Sequence, residues 1–212
     1  MESTQILAIR HGETDWNAET RIQGHIDIEL NAHGRWQVEQ VALALKDETI
    51  DCVYASDLSR AMATAHAIAR QHGLTVNSLE ALRERHLGHF QGKTWQDIES
   101  QHPHEAWQWK QRLPEWIPEG GGENLLMLAD RIDTCLSAIA VRHIGQRIVC
   151  VTHGGVLDIM YRLATRQSLQ SPRTWGLRNT AVNRLLWTPE GLQLVGWADE
   201  RHLSDARDET GA

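Results

Sequence analysis

Arg147-Ile148-Val149-Cys150-Val151-Thr152 (RIVCVT) is the most strand-like stretch of this sequence, and it stops at His153-Gly154-Gly155. Its apolar residues run unbroken rather than alternating with polar ones, the pattern of a strand covered on both faces. A helical pattern follows from Val156 to about residue 163. The same arrangement occurs at the other end of the chain, where Thr4 to Ile9 (TQILAI) leads into Arg10-His11-Gly12.

Between these two runs the chain alternates. Val38, Val41, Ala42 and Leu45 recur at helical spacing after Asn31-Ala32-His33-Gly34. Ile50 to Ala55 is a second strand, and Ser56-Asp57 offers capping oxygens to a helix through Met62, Ala65 and Ile68 that ends at Gly73. Thr75 to Leu79 is a short third strand. After Gly120-Gly121-Gly122, one stripe from Leu125 through Leu128, Ile132, Leu136 and Ile139 to Ala140 spans about five turns of helix. Ala181–Trp187 and Leu192–Trp197 flank Thr188-Pro189-Glu190-Gly191, a turn between two strands.

Strands alternating with helices predict an α/β fold, a three-layer sandwich whose mainly parallel sheet carries helices on both faces. From Leu87 to Asn124 the alternation fails. That stretch holds Trp95, Trp107, Trp109 and Trp116, three of the five prolines and the glycine triplet, and it reads as a small inserted cap over 87–124. Residues 1–200 form a single domain on this reading, and 201–212 a polar, frayed tail.

Composition removes several function classes. With 212 residues, 21 Lys+Arg against 28 Asp+Glu and a formal charge of −7, the chain has little attraction for nucleic acid or an anionic bilayer. No apolar run approaches the roughly 18 residues of a membrane span. Cys52, Cys135 and Cys150 form no CxxC pair, and Met1–Gln5 shows no basic segment followed by an apolar one, so a reducing cytoplasm is the expected compartment.

In an open parallel sheet, ligands bind beyond the carboxyl ends of the strands. Arg10-His11-Gly12, Ser56-Asp57-Leu58-Ser59-Arg60 and His153-Gly154-Gly155 all lie at such ends, which brings two histidines and two arginines to one rim. A neutral imidazole can accept a phosphoryl group on nitrogen, and guanidinium groups match phosphoryl oxygens with paired, charge-assisted bonds. Gly12, Gly154 and Gly155 allow close backbone approach to an anion. Glu84, in Leu82-Arg83-Glu84-Arg85, is the candidate proton donor to a departing alkoxide, although its flanking arginines also allow a plain salt bridge.

Arg10-His11-Gly12-Glu13-Thr14 with Trp16-Asn17, Arg21-Ile22-Gln23-Gly24, Ser56 to Ala61, Glu84 with Gly88, Pro118 to Glu123 and Thr152 to Gly155 occur in order over nearly the whole chain. Together they resemble the histidine phosphatase superfamily, the phosphoglycerate mutase-like fold, on its phosphatase branch. The resemblance implies that His11 becomes phosphohistidine while Arg10, Arg60 and His153 hold the equatorial oxygens. It further implies that Asn17, Gln23, Gly24 and Gly154 contact phosphate, that Arg21 borders the entrance, and that Glu84 protonates the leaving oxygen. No metal and no cofactor are implied.

The expected activity is therefore hydrolysis of a small-molecule phosphate ester by a phosphoric monoester hydrolase. A cofactor-dependent phosphoglycerate mutase is the alternative, and a non-catalytic scaffold for phospho-ligands is the reading from another class. Glu123 either caps the long helix or touches substrate, with capping preferred. The cap tryptophans either line the pocket or anchor the cap. His86, His89, His102 and His104 show no familiar metal-ligand spacing and read as a polar surface. The apolar C-terminal hairpin offers an edge for a possible homodimer.

Overall fold

A computed structural model describes residues 2–204. Six strands form one sheet in the order β3-β2-β4-β1-β5-β6. They are β1 (Thr4–Arg10), β2 (Cys52–Ala55), β3 (Val76–Ser78), β4 (Arg147–Thr152), β5 (Val182–Thr188) and β6 (Gly191–Asp199). β1, β2, β3 and β4 run parallel, and β5 and β6 add antiparallel to the β1 side. The helices are α1 (Asp15–Ala18), α2 (Ala32–Ala44), α3 (Ser59–Gln71), α4 (Trp95–Gln101), α5 (Pro103–Lys110), α6 (Leu125–Ala140) and α7 (Gly154–Thr165).

The unbroken apolar runs have the expected cause. Leu7, Ile9, Val149 and Val151 pack on one face with Val38 and Val41 of α2 and Ala61, Ala65 and Ile68 of α3. Ile6, Ala8, Ile148 and Cys150 point the other way, onto Leu128, Ile132 and Leu136 of α6 and Leu157 and Met160 of α7. Alternate residues thus serve opposite cores, and each fully buried Leu or Ile contributes on the order of 1.5–3 kcal/mol. Among the described residues, no helix is long and apolar enough to cross a membrane.

Topology places the site. β1 and β4 are neighbours, with Arg10 opposite Thr152 in the ladder. The chain leaves β1 on the α2–α3 face, whereas β4 is entered and left on the α6–α7 face. A crevice opens between two such strands at their carboxyl ends, and His11 and His153 are the residues that follow them.

Local signals were partly displaced by distant ones. Ser56 and Asp57 were expected to cap α3, but its N-cap is Leu58, with no side-chain cap bond. Asp27, from a remote loop, instead accepts from Ser59 N at 2.9 Å and Ser59 Oγ at 2.8 Å, while Asp57 is drawn to Arg83. Glu123 does not cap α6 either. Asn124 does, accepting from Met127 N at 2.8 Å, and Glu123 pairs with Arg131.

The 87–124 segment holds α4 and α5 around a small core of its own. Leu87, Phe90, Ile98 and Ala106 are buried there, with Trp95, Trp109 and Trp116 packed against them. At the expected tail, Arg201–Leu203 form a 3₁₀ turn that follows β6 directly. The rest of that tail, 205–212, lies outside the described residues.

Candidate active site

His11 is 3 % exposed, and its Nδ1 lies 2.7 Å from the Gly12 carbonyl oxygen. A ring nitrogen bonds a carbonyl only by donating, so Nδ1 carries the hydrogen and Nε2 holds the free lone pair. Burial pushes the imidazole well below its ordinary 6.5, and the nearby Arg60 and Arg10 push it the same way, so it is neutral at neutral pH. Gly12 is required by crowding: a Cβ there would come within 2.6 Å of the Gly34 carbonyl oxygen and 2.8 Å of Val38.

His153 is fully buried at the N-cap of α7, its ring 5.1 Å from that of His11. Burial and then Arg60 hold it neutral as well. Arg60, 1 % exposed, donates to Gly24 O at 2.8 Å and Ile26 O at 2.9 Å. Arg10 donates to Leu177 O at 2.6 Å and lies 3.6 Å from where a Gly154 Cβ would stand. Burial lowers both guanidinium groups, Arg60 to about 10, so both remain cations at neutral pH.

Glu84 accepts from Arg85 N at 2.8 Å and from Gly155 N, in the first turn of α7, at 2.9 Å. A Cβ on Gly155 would overlap Glu84 Oε1, so glycine at 155 is what admits the carboxyl group.

The remaining sequence-derived positions divide. Gln23 is buried, and its Oε1 has no hydrogen-bond partner among the described residues. Gly24 contributes the carbonyl that holds Arg60. Asn17 spends its Oδ1 on the capping box of α1, accepting from Thr14 N at 3.1 Å. Arg21 turns to the Gly92 carbonyl at 2.7 Å and to Glu19, and does not line the cavity described next.

That cavity, about 1010 Å³, opens over Arg10, Glu84, Gly154 and Gly155. His11, Arg60 and His153 are not on its wall, consistent with their near-zero exposure. Trp109 and Trp116 from the 87–124 segment both line it and pack against Phe90, so they serve both uses foreseen for them. Trp95 only packs, and Trp107 is exposed.

Several supports escaped the sequence reading. Asn179 donates to His11 O at 2.8 Å, and Thr180, held at φ +58°, donates its N–H to Arg10 O at 3.0 Å. Arg131 donates to Ala81 O, Arg83 O and Glu84 O while pairing with Glu123. Arg85 is buried under Trp109 and Trp116, each 5.7 Å away, and Arg112 bonds Asp158 of α7 at 2.6 Å. No local pattern marks these residues, since each reaches a group remote in sequence.

The profile of the histidine phosphatase superfamily (branch 1) matches residues 6–200. The chain belongs to that superfamily. It is 41 % identical over 208 residues to phosphoglycerate mutase-like protein 4 of Arabidopsis thaliana, covering 97 % of this chain and 89 % of the relative. It is 38 % identical to the metal-independent phosphoserine phosphatase of the same plant, covering 96 % and 84 %. Among solved structures, this histidine phosphatase superpositions on the mycobacterial glucosyl-3-phosphoglycerate phosphatase with a TM-score of 0.84 at 28 % identity, covering 93 % of this chain and all of the other.

Proposed function

We propose that the protein is a phosphatase that hydrolyses small phosphomonoesters through a phosphohistidine on His11. In the first half-reaction His11 Nε2 attacks phosphorus, the bond to the ester oxygen breaks, and the leaving alcohol takes its proton from Glu84. In the second, the Glu84 carboxylate takes a proton from water as the water oxygen attacks phosphorus. Inorganic phosphate and the neutral imidazole are released. Arg10, Arg60 and His153 hold the equatorial oxygens, Gly154 lets them approach, Asn17 and Gln23 border the group, and Gly24 acts through its grip on Arg60.

One observation carries the reading. Arg10 Nε, Arg60 Nε and both ring nitrogens of His153 are buried without hydrogen-bond partners among the described residues. Leaving such groups unmet costs about 1–3 kcal/mol each, and a phosphoryl group bound at this rim accepts from the two guanidinium groups and from the one ring nitrogen of the neutral His153 that carries a hydrogen. Superfamily membership supports the hydrolase class, and the relatives' names put phosphoserine and phosphorylated glycerates first among substrates. The 87–124 segment acts as the cap that shapes the leaving-group side of the cavity. The chemistry needs no metal, the compartment is the cytosol, and the open edge of β6 pairs two copies.

A quench during turnover with substrate labelled at phosphorus tests the mechanism. Acid-labile, base-stable label on His11, absent from His11→Ala, is the expected result. Label elsewhere overturns it. Incubation with 3-phosphoglycerate and a trace of the bisphosphate separates the mutase alternative, suggested by the name of the first relative: 2-phosphoglycerate formed without free phosphate reverses the assignment. A broad ester panel with no phosphate release favours the scaffold.

A further inference from the structure

The four cap histidines do not act together. His86 packs edge-on to His25, and His104 stacks on the exposed Trp107. His89 and His102, however, come together with Glu105: their ring centroids are 4.6 Å apart, and one ligand atom from each of the three residues lies within 4.8 Å of the others.

His89 Nδ1 lies 3.0 Å from the Glu119 carbonyl oxygen, so Nδ1 carries the hydrogen. Nε2 then turns its lone pair toward Glu105 Oε2, 3.1 Å away, and has no hydrogen-bond partner among the described residues. Two electron-rich atoms at that separation are held together by a positive centre between them, either a proton or a metal ion. A backbone carbonyl fixing Nδ1–H while Nε2 faces the ion is also how proteins orient histidine ligands.

The spacing suits a particular ion class. Tetrahedral zinc, with N and O ligands at about 2.0–2.2 Å, places neighbouring ligand atoms about 3.3 Å apart. His89 Nε2 to Glu105 Oε2 is 3.1 Å, and His102 Nδ1 to Glu105 Oε2 is 3.5 Å. His102 and Glu105 sit three residues apart at the start of α5, as its N-cap and a first-turn residue on the same side. One neighbour opposes the ion: Lys93 Nζ donates to His102 Nε2 at 2.8 Å, which leaves the hydrogen on His102 Nδ1, so binding an ion there requires Nδ1 to lose that proton and Lys93 to turn away.

We propose that His89 Nε2, His102 Nδ1 and Glu105 Oε2 bind a divalent ion of the zinc class, tying α5 to the turn that follows Glu84. The site is separate from the phosphate chemistry. None of the three residues lines the cavity, and Phe90 stands between them and Trp109 and Trp116. The ion is thus a clamp on the cap rather than a participant in catalysis, and occupancy acts on KM more than on kcat.

Titration calorimetry of the full chain with zinc chloride in phosphate-free buffer tests this, repeated for His11→Ala, His89→Ala, Glu105→Gln and Lys93→Met. One equivalent is expected in the wild type and in His11→Ala. Glu105→Gln and His89→Ala should bind at least ~10-fold more weakly, and Lys93→Met more tightly. Cobalt should give the visible spectrum of a tetrahedral site in the wild type and lose it in Glu105→Gln. The proposal fails if no stoichiometric ion binds, if binding survives unchanged in Glu105→Gln, or if it disappears in His11→Ala, which would place the ion among the phosphate ligands. If His89→Ala does not fold, Lys93→Met decides: affinity equal to or below wild type overturns the site.

Discussion

Gly155 and Glu84 are fitted to one another across the carboxyl ends of the sheet. The Gly155 N–H donates to Glu84 Oε2 at 2.9 Å, and the carboxyl group occupies the space that a side chain at 155 would take. Gly155→Ala should therefore displace Glu84 while leaving His11 untouched. We expect kcat on an alkyl phosphate to fall by about 10²-fold or more, the scale of a lost positioned acid, with the His11 label still forming. Normal kinetics on alkyl phosphates in this variant would refute the fit.

Glu84→Gln separates proton donation from the other steps by the choice of leaving group. Nitrophenolate departs without help, whereas an alkoxide does not. The loss should reach about 10²- to 10⁴-fold for an alkyl ester and be much smaller for p-nitrophenyl phosphate. Equal losses on the two substrates would remove Glu84 from the acid role.

Arg131 grips the backbone of the Glu84 segment at three carbonyls and is itself held by Glu123, and we expect it to act as a positioning residue for Glu84. Arg131→Met keeps the length of the stem and removes these bonds, at a cost of about 1–3 kcal/mol. Thermal unfolding should show the loss. The readout that a merely structural role would not move is the ratio of alkyl to nitrophenyl turnover, which should fall as it does for Glu84→Gln.

Stability should also carry the imprint of the neutral histidines. His11 and His153 sit well below their ordinary 6.5 in the fold, chiefly through burial. Below that pH the unfolded chain binds protons on both that the native chain refuses, so their contribution is complete above 6.5 and drains away as the pH falls beneath it. The slope approaches about 1.4 kcal/mol per pH unit for each residue. Urea unfolding at pH about 7.5 and about 5.5 should show a smaller drop for His153→Asn than for the wild type; identical drops would contradict the assignment.

The sheet was legible because its central strands are buried twice over and write that into their composition. β4 was read to the residue, Arg147 to Thr152, and β1 to within one. His11, Arg60 and His153 were legible for the same reason, since each follows a strand end. What could not be read was competition between local and distant partners. Asp57 has the chemistry of a cap but lies beside Arg83, and Glu123 precedes a helix whose Arg131 claims its carboxylate. Asn179 and Thr180 carry no pattern at all, because what they hold is the backbone of Arg10 and His11.

The pairing of β1 with β4 has a consequence for biosynthesis. His11, the proposed nucleophile, follows β1, yet His153 stands 142 positions later and the strand that β1 pairs with is the run from Arg147 to Thr152. A contact of such sequence separation closes late. A nascent chain therefore cannot attack an ester until β4 has cleared the ribosome, and fragments that stop short of it should be inert even though they contain His11.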